Sequence, residues 1–296
     1  MRRFVRTVTI GMIFLTVFSL LPCLLVYAEE SERTAPFYRY YRPYPQVPQV
    51  HRYSTEADTD DDWTYEGTEG YIAKRQLRYT VPLYHLFNSL QWDNVYTIRE
   101  AERTRLLSSS YISEQGVAGY VLPPDKDIPG SVPLYRFSRT FRVGEQYYRD
   151  RFYSLNSTPP SSYVAEGICC RVWRDSVELP EVLFRLTTPE GPDTWIQGSV
   201  QSVAWQVWTG GGYMRIYYSD NDGNSWQYIE AVPVPQIYGV FTSGEYKWKV
   251  PTSVFGKIRI KLDWVKENEG TVTPWFSETS GELKIINRRL LPITTR

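Results

Sequence analysis

The only imidazoles in this chain of 296 residues are His51 and His85, and the chemistry open to them is narrow. Nucleophilic catalysis needs a Ser or Cys beside a His that a carboxylate orients, and neither histidine stands in such a motif. His85 takes the strand position that Arg39 and Arg136 hold in two sister segments, which fits a structural or surface role. Zinc requires three or four His, Cys or carboxylate ligands at suitable spacing, and that spacing is missing. Paired carboxylates can hydrolyse glycosides, yet among 33 acidic residues no pair stands out. Gly210, Gly211 and Gly212 link two expected strands and form no phosphate-binding loop. The residues point away from catalysis, leaving a secreted hydrolase as the weakest reading, and no cofactor is expected.

Binding chemistry fits better. Trp92-Asp93-Asn94 puts an aromatic face beside a carboxylate and an amide, which is what a sugar ring and its hydroxyls require. Glu145-Gln146, read as the equivalent pair, and His51 in the first segment complete the candidate set. The plainer alternative is that these residues brace a turn. Asp58, Asp60, Asp61 and Asp62 offer carboxylates for a hard cation. They lack the glycine and the closing Glu of an EF-hand loop, so a solvated turn is expected and no metal site is assigned. Cys169 and Cys170 are adjacent, and successive strand residues point to opposite faces. A vicinal disulfide, two unpaired thiols with one buried, and a link to another chain all remain open.

These residues must be positioned by a threefold recurrence. Val81-Pro82-Leu83-Tyr84 returns as Val132-Pro133-Leu134-Tyr135, with a worn copy at Ala35-Pro36-Phe37-Tyr38. Each copy ends on a glycine motif, at Gly67 to Ile72, Gly116 to Val121 and Gly167 to Val172. A tyrosine segment lies between, at His51 to Thr55, Asp93 to Thr97 and Glu145 to Arg149. Leu-Tyr-His-Leu-Phe and Leu-Tyr-Arg-Phe alternate in the manner of half-buried strands. Gly116 and Gly119 suggest a bulge or a close backbone approach, and residues 100–107 suit a short helix. A unit of this size cannot bury its own apolar face. Three of them closing on one another predict a pseudo-threefold, β-trefoil-like domain over residues 36–176, with a three-bladed open array as the alternative.

Beyond Glu178-Leu179-Pro180-Glu181 come short alternating runs, among them Ile216 with Tyr218, Tyr246 with Trp248 and Val250, and Ile258 with Ile260 and Leu262. About seven strands separated by turn signals predict an immunoglobulin-like β-sandwich over residues 181–286, with a tail at 287–296. The whole is expected to be all-β.

Leu83-Tyr84-His85-Leu86-Phe87-Asn88, Asp93 to Thr97 and Gly116 to Val121 resemble a secreted bacterial repeat of unknown function. The likeness spans about residues 36–174, and the outer copies drift, with Cys169-Cys170 where the middle copy has Ala-Gly. It implies a secreted or surface-attached protein and no activity. Pro189-Glu190-Gly191, Trp195, Gly198, Ser219 to Trp226, Gly244 to Pro251 and Ile258-Arg259-Ile260 are similar to the Ig-like domain of Ser/Thr-rich cell-surface-anchored proteins. Ser219 to Trp226 also resembles the Asp-box of sialidases, a hairpin brace that implies no glycosidase when it occurs once.

At the N-terminus, Arg2, Arg3 and Arg6 precede an apolar run and Val26-Tyr27-Ala28, the layout of a signal peptide over residues 1–28 cleaved after Ala28. An uncleaved helical anchor is the alternative. Cys23 follows Pro22 rather than the small residue that lipoprotein processing needs. Cleavage removes three arginines and no acid, so 33 basic against 33 acidic residues becomes 30 against 33. That balance gives no case for nucleic acid, and no later segment is apolar enough to span a bilayer. The expected protein is an exported, non-enzymatic binding module whose partner is a glycan, a cell-wall polymer or a surface protein. A spacer or assembly protein of the cell exterior is the rival.

Overall fold

The computed structural model describes residues 32–43, 49–208, 210–237 and 239–287. The expected signal peptide with Cys23 and Ala28, the alternative anchor, residues 44–48 and residues 288–296 of the tail lie outside the described residues. Within them the protein is all-β, with twenty strands and one helix. No described helix is long and apolar enough to cross a membrane.

The first half runs β1 (Glu32–Arg33), β2 (Ala35–Arg42), β3 (Val50–Ser54), β4 (Thr64–Ile72), β5 (Val81–Asn88), β6 (Asp93–Thr97), α1 (Glu100–Leu107), β7 (Ile112–Val121), β8 (Ser131–Val143), β9 (Gln146–Ser154) and β10 (Val164–Trp173). It contains three antiparallel units, ordered β3-β2-β4, β6-β5-β7 and β9-β8-β10, each with its first strand in the middle. Phe37, Leu83 and Leu134 hold the same place on the three middle strands and are fully buried. They share one apolar cluster with Ile72, Val121 and Val172 from the closing strands. The three segments therefore bury their apolar faces on one another, as short units must.

The closed barrel of a trefoil is absent. Among the described residues the sheets stay open, because neighbouring closing strands meet at single residue pairs only: Trp173 with Tyr71, Ala73 with Tyr120, and Leu122 with Arg171. Gly119 makes the expected close approach, a Cβ there lying 2.5 Å from Ile72 Cδ1. Gly116 stands at a bulge opposite His85 with open space around it, and Gly70 makes an approach like that of Gly119 in the first unit. Gly70 has φ +84°, and a Cβ there would lie 2.6 Å from Val172 Cγ2 and 2.9 Å from the Trp173 carbonyl oxygen, so only glycine fits.

The second half adds β11 (Glu178–Leu179), which pairs with β1, then β12 (Phe184–Thr188), β13 (Thr194–Ile196), β14 (Val200–Val207), β15 (Tyr213–Ser219), β16 (Gln227–Pro233), β17 (Thr242–Lys249), β18 (Gly256–Val265), β19 (Phe276–Thr279) and β20 (Leu283–Ile286). One sheet is β12-β14-β17. The other is β13-β20-β18-β15-β16, with β19 also on β18. The alternating residues read from the sequence face inward: Ile216, Trp248, Val250, Ile258, Ile260 and Leu262 are buried, with Tyr218 and Tyr246 packed against them. This apolar cluster continues into Ala73, Leu77, Leu122, Ile128 and Trp173 at the base of the three units. Lys126 donates to the Trp275 carbonyl at 2.7 Å across the same junction. At the β15–β16 turn, Asn221 Oδ1 accepts the Ser225 amide at 2.9 Å and Ser219 Oγ accepts the Gly223 amide at 2.9 Å, the brace expected of that loop.

Candidate functional site

The outer strands of the three units, β3, β6 and β9, run beside one another without a backbone ladder. Their spare backbone groups find partners in three tyrosines. Tyr53 donates to the Tyr153 carbonyl, Tyr153 to the Tyr96 carbonyl and Tyr96 to the Tyr53 carbonyl, at 2.6–2.8 Å. Each hydroxyl also accepts an amide N–H from the strand it reaches: Tyr153 N to Tyr53, Tyr96 N to Tyr153 and Tyr53 N to Tyr96, at 2.7–3.0 Å. The phenol thus takes the place of a fourth strand and covers each edge. The rings meet edge-on with centroids 5.3–5.6 Å apart.

One layer further along, two residues before each tyrosine, stand His51, Asn94 and Arg151, which reach round the axis in the same direction. His51 donates its backbone N–H to Asp150 Oδ1 and places Nδ1 on Oδ2, both at 2.8 Å. Arg151 pairs with Asp93. Asn94 finds Val50 where the other two units have an aspartate, and donates instead to the His51 carbonyl at 3.0 Å. Burial by itself would lower the His51 pKa, but the hydrogen bonds to Asp150 and to Glu66, 3.3 Å from Nε2, carry it above the ordinary histidine value. Burial pushes the Asp93 carboxyl up to about 7, against the pull of Arg151 and Arg149.

A cavity of about 310 Å³ opens between the first two units. Its walls are Trp63, Phe87 and Trp92; its polar lining is Arg42, Arg52, Asp60, His85, Asn94 and Gln115. Arg42 lies 5.8 Å from the Trp63 ring centroid and 5.5 Å from that of Trp92, and its guanidinium pairs with Asp62. Arg52 stacks on Trp63 at 4.5 Å and pairs with Asp58. His85 stacks on Tyr96 at 4.4 Å, with Nε2 2.9 Å from Asn94 Oδ1. Burial lowers its pKa, Arg52 adds to the effect, and the bond to Asn94 opposes it.

Trp92 closes the turn between β5 and β6 with φ +57°. A bulky side chain there is strained by roughly 1–2 kcal/mol. Such strain persists where the surroundings hold it, and it clusters at binding sites. Asn88 Oδ1 supplies that hold by accepting the Leu90 and Gln91 amides at 3.0 and 3.1 Å. Trp92→Gly and Trp92→Ala both delete the indole, but only glycine is at ease at this φ. In urea denaturation the glycine variant is expected to be about 1 kcal/mol more stable than the alanine variant. Equal stability would remove the strain argument.

Of the residues singled out in the sequence, Trp92 and Asn94 line the cavity, while Asp93 and His51 lie buried in the layer beside it. Glu145 stands exposed at the β8–β9 hairpin tip, away from both. Gln146 donates to the Leu90 carbonyl at 3.2 Å and so steadies the turn that carries Trp92. The counterpart of Trp92-Asp93-Asn94 is Arg149-Asp150-Arg151, not Glu145-Gln146, because β8 and β9 are longer than β5 and β6 and carry the hairpin tip outward. Cys169 and Cys170 are free, buried thiols. A bulge between Ile168 and Cys170 breaks the strand alternation, so both turn inward. Sequence reasoning missed Arg42, Arg52, Trp63 and Gln115 and read Asp60 as part of a solvated turn; a tryptophan directly after the acidic run was the one available signal. No curated protein matches the chain. Residues 41–173, which take in nearly all of the three units, match a family model described as a domain of unknown function (DUF5648).

Proposed function

We propose that the protein is a non-enzymatic binding module of the cell exterior, and that the cavity between its first two units takes a glycan or cell-wall polymer. The observation that carries this reading is the strained Trp92, held beside Phe87 and Trp63 over an amide-bearing lining. Aromatic faces accept the apolar side of a sugar ring, and fixed polar groups orient its hydroxyls. The second half, read as an Ig-like sandwich, presents the three units; a signal peptide cleaved after Ala28 exports the chain. Its charge balance of 30 basic to 33 acidic residues after cleavage favours no nucleic acid.

The test is retention of the secreted chain on insoluble wall polymers. Wild type is expected to be retained, and Trp92→Ala, folded by circular dichroism, to be lost from the bound fraction. Retention on no polymer would leave the spacer role, favoured by the apolar cluster that joins the two halves. Release of reducing sugar by the purified chain would make it a hydrolase instead.

A further inference from the structure

The cavity's hydrogen-bonding inventory narrows the ligand class, an inference that rests on the glycan reading above. Its two cations are already spoken for. Arg42 is held between two indoles with Asp62 on its guanidinium, and Arg52 lies on Trp63 with Asp58 on its own. A carboxylate or sulfate ligand needs a free guanidinium fork, and here it would have to displace an aspartate from each.

Three acceptors are left over, beside the second amide N–H of Gln115 and the unpartnered Arg52 Nε. Asn94 is oriented by its Nδ2 donating to the His51 carbonyl, so Oδ1 faces His85. His85 must then carry its proton on Nε2, which leaves Nδ1 as a bare lone pair. Gln115 donates its amide to Ser113 Oγ at 2.8 Å, which leaves its carbonyl oxygen. Asp60 takes part in no ion pair among the described residues; one of its oxygens accepts the Asp62 amide at 3.0 Å, and the other is spare. With Arg42–Asp62 and Arg52–Asp58 balanced, Asp60 leaves the lining one negative charge in excess.

We propose that the cavity selects uncharged, hydroxyl-rich sugars and rejects acidic ones. Hydroxyls donate to Asp60, His85 Nδ1 and Gln115, the ring lies against Trp92, and a uronate or sulfate meets both the Asp60 charge and a row of lone pairs.

The experiment is calorimetric titration of the full secreted chain with hexasaccharides of matched length. Cellohexaose, chitohexaose and mannohexaose are the neutral probes; hexagalacturonate and an alginate hexamer are the acidic ones. At least one neutral probe is expected to bind at least 10-fold tighter than either uronate. Asp60→Asn, which keeps the size and loses the charge, is expected to weaken the neutral probe several-fold and to narrow the gap to the uronates. A uronate bound as tightly as the best neutral hexamer overturns this inference and leaves the glycan reading standing. Neutral binding that neither Asp60→Asn nor Trp92→Ala alters puts the ligand elsewhere and overturns it too. If neither these hexamers nor any wall polymer binds, both fall together.

Discussion

Alkaline titration is expected to unfold the protein in one steep step above about pH 10, because the tyrosine interlock cannot ionise in place. Tyr53, Tyr96 and Tyr153 are fully buried, and burial holds all three phenols well above the ordinary tyrosine pKa. A phenolate at any of them would also lose the hydroxyl proton that satisfies a buried carbonyl. The sign follows from the direction of the shift. A folded-state pKa raised above the unfolded value gives stability that is complete below about pH 10 and is lost as the pH rises. Each group contributes about 1.4 kcal/mol per pH unit in that window, so three give about 4 kcal/mol per unit. Set against a usual stability of roughly 5–15 kcal/mol, that slope empties the folded state within about one to four pH units. The chain has 24 tyrosines, most of them outside this layer. Absorbance at 295 nm should therefore rise near pH 10 for the accessible phenols and again only with loss of circular dichroism. Tyr153→Phe is the companion test. It leaves one buried N–H and one buried C=O unmatched at about 1–3 kcal/mol each, an expected loss of roughly 2–6 kcal/mol. A loss below about 0.5 kcal/mol, or free titration of all phenols near pH 10, would sink the interlock.

Much of this was legible in advance, and the part that was not has a physical cause. The all-β class follows from alternation and turn residues, and the helix at Glu100–Leu107 from its helix formers. The recurrence of middle strand and closing glycine places Phe37, Leu83 and Leu134 together. Distance along the chain points to Tyr147 and Tyr148 for the third tyrosine, and the longer third hairpin makes that distance misleading. The β8–β9 hairpin extends its ladder to Val143 and Gln146, and the interlocking residue is Tyr153. The barrel was inferred from the need to cover strand edges. The protein meets that need with phenol hydroxyls; the tyrosines recur once per unit, but nothing in their spacing tells that a hydroxyl caps the neighbouring strand. The cavity was half visible: Trp92 and Asn94 stood in a conspicuous triplet, whereas Arg42, Arg52 and Trp63 come from another unit and meet them only after folding.

Asp150→Asn is expected to cost about 3–5 kcal/mol between roughly pH 4 and 6.5, and less above that range. Asp150 is 1% exposed, and its carboxylate takes the backbone N–H and ring of His51, the Tyr163 hydroxyl and a contact with Arg139. Burial opposes its charge, yet the His51 hydrogen bond and charge, followed by Tyr163, pull its pKa below the ordinary carboxylate value. A depressed carboxyl gives stability that is present above its unfolded pKa of about 3.9 and lost as the pH falls. His51 runs the other way. Its raised pKa gives stability that is complete below about 6.5 and lost as the pH climbs through the folded value. The two windows overlap between about 4 and 6.5, where the first and third units are clamped hardest. In Asp150→Asn, His51 keeps only Glu66 as an anionic partner, so the difference from wild type should peak in that overlap and shrink above pH 7. With two histidines in the chain, proton NMR resolves both titrations: His51 above about 6.5 and His85, lowered chiefly by burial, below it. A stability difference flat from pH 4 to 9, or two histidines titrating together, would show that the Asp150 carboxylate is not what binds β3 to β9.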